Sequence, residues 1–191
     1  MADQPKLKIQ YPDLGICGLS CRLCPRHHTD AVSRCDGCKT SSRMSAGCPF
    51  ITCAVKKKSI EFCWDCEENS KCSRWAKHRE SGRQHDSFIT YQKLDENIET
   101  AQRKGVRELD RQQTEKPNLL VQILDEYNEG RSKSYYCMAV TLFDLEDLKS
   151  AVQEERRNRS TGSDIKARSK SLHTIFERLA KKKNLLLALR K

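Results

Sequence analysis

Three cysteines near the amino terminus have a spacing that could hold a metal ion or a metal cluster. Residues 17–25 read CGLSCRLCP, which places Cys17, Cys21 and Cys24 in the pattern CxxxCxxC, followed by a proline. Radical enzymes that use S-adenosylmethionine hold a [4Fe–4S] cluster with this spacing, and similar patterns occur in ferredoxins and in structural zinc sites. The remainder of the chain must distinguish among these three possibilities.

Further cysteines follow in short groups that favour zinc. RCDGC at 34–38 and FCWDC at 62–66 each contain a CxxC pair, a spacing that lets both sulfur atoms reach one ion. Two such pairs form the usual tetrahedral structural zinc site. Only Cys137 lies outside residues 17–72, and the other ten cysteines are the predicted metal ligands: Cys17, Cys21, Cys24, Cys35, Cys38, Cys48, Cys53, Cys63, Cys66 and Cys72.

Two iron–sulfur interpretations compete with zinc. A radical enzyme needs an α/β barrel around its cluster, and no alternating pattern of strands and helices follows these cysteines, which argues against that class. The bacterial ferredoxin run CxxCxxCxxxCP does not occur either, although Cys24–Pro25 and Cys48–Pro49 each join a cysteine to a proline. The mixed spacings favour zinc, with an iron–sulfur cluster as the alternative cofactor.

Cysteine chemistry without a metal is the less favoured alternative. A redox-active CxxC needs a thioredoxin-like βαβ setting, which the sequence around Cys35 and Cys63 does not show. The first fifteen residues, MADQPKLKIQYPDLG, contain no apolar export signal, and no stretch of about 18 apolar residues predicts a membrane span. We therefore expect a cytoplasmic protein whose thiols stay reduced, and disulfides are expected only if it is secreted.

The number of metal ions is left open by the ligand count. Eight thiolates fill two tetrahedral sites and leave two cysteines over, whereas ten thiolates and two histidines would fill three sites. The candidate histidines flank the cysteines on both sides, although a histidine in such a position is more often a solvated surface residue. They are His27, His28, His78 and His85.

Positive charge is concentrated in two parts of the chain. The net charge is +10, with 12 basic against 7 acidic residues in 17–80 and 9 against 2 in 160–191. Such regions can bind nucleic acid, an anionic membrane surface or an acidic protein. Because no aromatic residue is interleaved among Lys181, Lys182 and Lys183, nucleic-acid binding is only weakly supported.

Helical periodicity dominates after residue 80. Apolar residues recur every three or four positions from Phe88 to Ala101, and Pro117 is expected to open a further helix that stops at Gly130. SKSYYCMAVTLF is expected to form a buried helix containing Cys137, and Asp144 to cap the next one. The predicted fold is a small metal-stabilised, cysteine-rich head of loops and short helices, residues 1–80, followed by an all-α helical tail. The tail divides into a helical region, 81–158, and a basic amphipathic terminal helix, 159–191.

The order of the cysteine groups resembles a known family. Small cysteine-rich prokaryotic proteins of unknown function open with CGLxCxxCP, continue with CxGC, and end with CPxxxC, CxxC and a final cysteine. Here these elements are residues 17–25, 35–38, 48–53, 63–66 and Cys72, with Lys71 where the family usually has a proline. The resemblance covers residues 14–80 and implies metal binding, with zinc as the metal, but it implies no established activity or substrate.

These observations favour a binding function over catalysis. The tail contains no paired acid and base, no nucleophile motif and no glycine-rich phosphate loop, so no catalytic residue is predicted. We expect a zinc-binding module that acts as an adaptor for a protein partner. An iron–sulfur protein with a role in electron transfer or redox sensing is the alternative, and a zinc enzyme is less favoured than either.

Overall fold

The computed structural model describes residues 7–40 and 48–191, and in these residues the chain is mostly helical. Its only β-type pairing in that part is an isolated bridge between Leu14 and Ser20. Six longer helices carry the architecture. They are α1 (Ser73–Gln84), α2 (Leu94–Lys104), α3 (Val106–Tyr127), α4 (Lys133–Leu142), α5 (Leu145–Asn158) and α6 (Ile165–Lys183).

The head consists of loops and short helical turns, as predicted. Cysteines stand at or beside most of these turns, because a CxxC segment closes naturally into a single turn with a backbone hydrogen bond from the second cysteine to the first. The amides of Cys24 and Cys66 donate to the carbonyl oxygens of Cys21 and Cys63 at 3.1 and 3.3 Å. The turns are Cys21–Leu23, Pro49–Ile51, Thr52–Lys57, Cys63–Asp65 and Asn69–Lys71.

The largest apolar core lies among α3, α4, α5 and α6. The apolar positions of these helices recur at helical spacing, so each presents one stripe to the others. Leu23, from the first cysteine turn, also belongs to this core. Its most deeply buried members are Leu120, Ile123, Tyr127, Tyr136, Ala139, Val140, Phe143, Leu148, Leu172 and Phe176.

A second core joins the head to the first helices of the tail. Phe62 and Trp64 stack in parallel with their ring centroids 4.5 Å apart. The Asn97 side chain of α2 donates to the carbonyl oxygen of Gly18 at 2.9 Å. The head therefore buries much of its apolar surface against α2 and α3. The core comprises Leu14, Leu19, Phe62, Trp64, Trp75, Leu94, Ile98, Ala101 and Leu109.

Pro117 does not open a helix, contrary to the sequence prediction. Helix α3 starts at Val106, directly after Gly105, and continues through Pro117 to Tyr127. Gly105 has φ of +87°, a value that favours glycine, so the break between α2 and α3 falls there. Buried Pro117 interrupts only the local hydrogen bonding, because it has no N–H to donate to the carbonyl oxygen of Gln113.

The chain end differs from the expected terminal helix. Helix α6 stops at Lys183, and Asn184 takes a left-handed conformation with φ of +54°. The final segment returns to the end of α1, where the Arg190 guanidinium donates to the carboxylate of Asp86 at 2.8 Å. Arg190 also donates to the carbonyl oxygens of Gly82 and Arg83, so this segment caps α1.

One other prediction for the tail is confirmed, and a second is confirmed only for the position of the residue. The segment around Cys137 forms α4, and Cys137 is buried with 1% of its surface exposed. Asp144 occupies the position before α5. Its side chain makes no capping hydrogen bond and instead pairs with Lys183 at 3.2 Å. The boundaries predicted at residues 80 and 158 stay predictions.

Candidate metal centres

All eleven cysteines are free thiols, so no disulfide constrains the head. Cys21 and Cys137 are buried, Cys38 is exposed, and the others are partly buried. Ten of these thiols lie in the head, where they divide by their neighbours into two sets of four and a remaining pair. This division determines what the head could bind.

The first thiol set consists of Cys21, Cys24, Cys35 and Cys38. The Cys38 amide donates to the sulfur atom of Cys21 at 3.3 Å. Burial raises the pKa of Cys24, and the neighbouring thiols Cys35 and Cys38 raise it further. Two CxxC pairs, 21–24 and 35–38, thus face each other, as the ligands of one tetrahedral ion would.

Gly37 allows the second CxxC turn to close against the first. Its φ of +126° lies in a range that residues with a side chain rarely adopt. A Cβ at this position would also stand 3.4 Å from the Pro12 carbonyl oxygen and 3.8 Å from the Cys21 Cβ. The CxGC sequence is therefore required by this backbone geometry.

The second thiol set consists of Cys53, Cys63, Cys66 and Cys72, which line one cavity of about 930 Å³. Burial, followed by the thiols of Cys17, Cys53, Cys72 and Cys66, raises the pKa of Cys63 to about 12. The Asn69 side chain donates to the Cys63 carbonyl oxygen at 2.6 Å and fixes the turn between the 63–66 pair and Cys72.

Cys17 and Cys48 lie between the two sets. Burial raises the pKa of Cys17 to about 11, and the thiols of Cys38 and Cys48 add to the increase. Because Cys63 also has Cys17 as a neighbour, Cys17 adjoins a member of each set. The sequence grouped Cys17 with Cys21 and Cys24; the structure keeps Cys21 as a neighbour of Cys17 and adds Cys38, Cys48 and Cys63.

The thiols adjoin one another without forming a closed ligand shell. Among residues 7–40 and 48–191, no three cysteine, histidine, aspartate or glutamate side chains are close enough together to hold a metal ion as they stand. The raised pKa values of Cys17 and Cys63 mean that these thiols are protonated at neutral pH. A protonated thiol is a poor nucleophile, so neither resembles an activated catalytic cysteine.

Lys39 is a buried cation in the head that the sequence analysis did not single out. It directly follows Cys38, and its ammonium group donates to Glu61 at 2.8 Å and to the Tyr11 carbonyl oxygen at 3.1 Å. It also stands 3.7 Å from the centre of the Phe62 ring. Burial lowers the pKa of Lys39, while Glu61, Cys21 and Cys17 oppose that shift. Its position immediately after a CxxC pair was the only sequence signal.

The second thiol set also has a lysine beside it. Lys58 pairs with Glu68 at 2.5 Å. Hydrogen bonds to Glu68 and to the Cys66 sulfur raise the pKa of Lys58. Each set is therefore accompanied by one lysine, Lys39 or Lys58, which could partly offset the charge of four thiolates.

The candidate histidines have protein partners of their own. His27 and His28 hydrogen-bond through one ring nitrogen each to the carbonyl oxygens of Cys35 and Arg22. His78 packs among the rings of Phe50, Trp75 and Tyr91. His85 is exposed at the end of α1. No histidine lines the cavity of the second thiol set.

None of the helices in the described part of the chain is long and apolar enough to cross a membrane. No protein-family model matches the chain, and no curated protein or solved structure matches it either. A functional proposal therefore depends on which cysteines are neighbours in this fold.

Proposed function

We propose that the head binds two zinc ions, one at each thiol set, and that the protein acts as a zinc-stabilised binding module. The observation that carries this proposal is the division of eight cysteines into two sets of four, each including a CxxC pair. Four thiolates in a tetrahedron make the usual structural zinc site. Coordination would require the side chains of each set to move from adjacency into a closed tetrahedron.

Charge compensation supports the two sites. A zinc ion with four thiolates carries a net charge of −2, which is costly to bury unless cations or hydrogen-bond donors face it. Lys39 and the Cys38 amide stand beside the first set, and Lys58 beside the second. Bound zinc would therefore be stabilised by groups already in place.

The stability of the head also supports a structural role for the metal. Apart from Leu23 and the core shared with α2 and α3, the described residues of the head form only a small apolar cluster built around Ile16, Ile51 and Ala54. Structural zinc contributes on the order of 10 kcal/mol of folding free energy to small domains of this kind. The metal would supply the folding free energy that the limited apolar contacts do not.

Metal content of cysteine variants tests the two-site arrangement. Cys35→Ser and Cys63→Ser each remove one ligand from a different set, and each is expected to lower the zinc content from about two ions per chain to about one. Cys137→Ser is the matched control: Cys137 is buried in the tail core and, although it adjoins Cys24, it belongs to neither set, so this variant should keep both ions. Zinc content unchanged in Cys35→Ser and Cys63→Ser would contradict the proposal.

An iron–sulfur cluster at the second thiol set is the alternative. The cavity lined by its four cysteines, about 930 Å³, is larger than one zinc ion requires, and four thiolates are also the usual ligands of a cluster. Protein purified without oxygen would then be brown, with broad absorption in the visible region, and would contain iron. Colourless protein with zinc alone excludes this alternative.

The family resemblance of residues 14–80 agrees with zinc binding, and the adaptor role for a protein partner is part of the same proposal. The helical tail would provide the interaction surface. Co-purification of a defined partner with the wild type and also with a variant whose head has lost its metal ligands would support this role, because the tail is expected to stay folded without metal.

A further inference from the structure

A cavity of about 400 Å³ lies where the head meets the tail, away from the second thiol set. Ser20 from the head, Asn97 from α2, and Gln113 and Lys116 from α3 line it, and Thr141 closes it from α4. Its rim includes the exposed residues Arg111, Gln112 and Glu115, so solvent reaches it. A volume of 300–1,000 Å³ is typical of sites for small organic ligands.

The charged groups of this cavity are paired with one exception. Each of its carboxylates meets a lysine, and its arginine meets a glutamate outside the cavity. Lys116 has no carboxylate partner within the described residues, and its ammonium group donates only to the Thr141 carbonyl oxygen, at 3.4 Å. The pairs are Glu96–Lys93, Glu115–Lys149, Asp144–Lys183 and Arg111–Glu108.

Lys116 is partly buried and forms no ion pair with a carboxylate of the described residues. Burial and, to a smaller extent, Lys93 lower the pKa of Lys116 to about 8, although Asp144 and Glu96 act in the opposite direction. An ammonium group has three N–H donors, of which one is used here. The two others are available to a ligand.

Gln113, one turn before Lys116, provides an unused acceptor. Its side-chain oxygen Oε1 is buried and accepts no hydrogen bond. Its backbone carbonyl oxygen also lacks the usual donor four residues later, because that residue is Pro117. An unsatisfied buried acceptor is costly, which favours a ligand that brings a hydrogen-bond donor.

We infer that this cavity binds a small monocarboxylate bearing an adjacent hydrogen-bond donor, as in a 2-hydroxy acid or an amino acid. The carboxylate pairs with Lys116, and the hydroxyl or ammonium group donates to Gln113. A single charge fits better than the double charge of a phosphate, because the paired charges cancel and leave Lys116 as the one uncompensated charge among the described residues of the cavity. No cysteine lines this cavity within the described residues, although Ser20 and Leu23 of its wall flank Cys21 of the first thiol set.

Calorimetric titration of the full-length protein with three ligands of similar size tests this inference. L-lactate and L-alanine carry a carboxylate with a neighbouring donor, and propionate lacks that donor. We expect L-lactate or L-alanine to bind about tenfold or more tightly than propionate, as loss of one hydrogen bond to a buried acceptor implies. The stronger of the first two identifies the hydroxy acid or the amino acid as the ligand class.

Variants of Lys116 and Gln113 test whether these two residues hold the ligand. Lys116→Met should abolish binding of all three compounds, and Gln113→Leu should remove the preference over propionate. Lys182→Met, an exposed lysine outside the cavity, is the control and should bind as the wild type does. Equal binding of the three ligands, no binding of any, or binding retained in Lys116→Met would each overturn the inference.

The pH dependence adds a readout that a purely structural lysine would not give. A bound carboxylate stabilises the charged form of Lys116 and raises its pKa, so binding at pH 8–9 should take up a proton. Affinity should decline as the pH rises above about 8, the pKa of Lys116. Binding with no proton uptake in this range would contradict pairing with Lys116.

Discussion

The head and the helical tail are stabilised in different ways. The tail buries continuous apolar stripes of α3, α4, α5 and α6 against one another. The head has short turns, a small cluster of its own around Ile16 and Ile51, and a core that it completes only with side chains from α2 and α3. Ten thiols stand in this head and a single buried one in the tail. If the head binds zinc as proposed, its stability would depend on the metal, whereas the tail, with its full apolar core, would not.

Buried charges show the same difference. In the tail, Glu155 is 1% exposed and its charge is met within the bundle by Arg159 and by the hydroxyl of Tyr127, at 2.7 Å each. In the head, buried Lys39 has one carboxylate, Glu61, and faces the thiols of Cys21 and Cys17. The charges of the tail network are therefore balanced without a ligand. In the head, Lys39 lies beside thiols that would become thiolates if a metal bound.

Metal removal should give the largest difference between the two regions. We expect a strong chelator with reductant to unfold the head, with a loss on the order of 10 kcal/mol of folding free energy. The chain has two tryptophans, Trp64 and Trp75, and both are buried in the core that includes the head. Tryptophan emission should shift to the red while far-ultraviolet circular dichroism keeps most of its helical signal. Simultaneous loss of both signals would show that the tail also depends on the metal.

Breaking the buried ion-pair network of the tail should destabilise the tail rather than the head. Glu155→Ala removes the acceptor of the Tyr127 hydroxyl and the shorter ion pair of Arg159, which keeps Glu126 at 3.4 Å, and is expected to lower the free energy of unfolding by about 2 kcal/mol. Urea denaturation followed by circular dichroism measures the loss. Glu154→Ala, which breaks a more exposed pair with Arg178, is the control and should cost about 0.5 kcal/mol. Equal losses in the two variants would argue against a special role for the buried network.

The carboxy-terminal segment should have an effect of similar size, at the junction of the two regions. Arg190→Gln leaves the fully buried Asp86 carboxylate without its guanidinium and is expected to cost about 2 kcal/mol. Burial opposes ionisation of Asp86, but the Arg190 hydrogen bonds and the Tyr91 amide hold the pKa of Asp86 below its usual range. A lowered pKa stabilises the fold above about pH 4, and that contribution is lost as the pH falls below this value. The stability difference from the wild type should therefore be full at pH 6 and shrink in acid, whereas Lys191→Gln should show no difference.

Cys137→Ser should have the smallest effect. The substitution places a hydroxyl in an apolar core and is expected to cost about 1 kcal/mol in thermal or urea unfolding. Metal content should not change, because Cys137 belongs to the core of the tail. Loss of metal in this variant would contradict the expectation that only the head thiols bind metal.

Local patterns predicted the elements better than they predicted the partners of the cysteines. The apolar spacing around Cys137 correctly indicated the buried helix α4, and the CxxC pairs indicated short turns. Pro117 was misread, because tertiary packing carries α3 across a position that would break an isolated helix. Sequence proximity placed Cys17 beside Cys21, which the structure keeps as a neighbour, whereas its other neighbours Cys38, Cys48 and Cys63 come from chain segments that only the fold brings together. Lys39 gave little signal because its role depends on Glu61, 22 residues later.

Native mass spectrometry of the 191-residue protein, purified under reducing conditions without oxygen, is the most direct test of two zinc sites in the head. We expect two zinc ions per chain in the wild type and in Cys137→Ser, and about one in Cys35→Ser and in Cys63→Ser. A wild-type chain that carries no metal, or whose metal content is the same in all four proteins, would contradict two thiolate sites in the head.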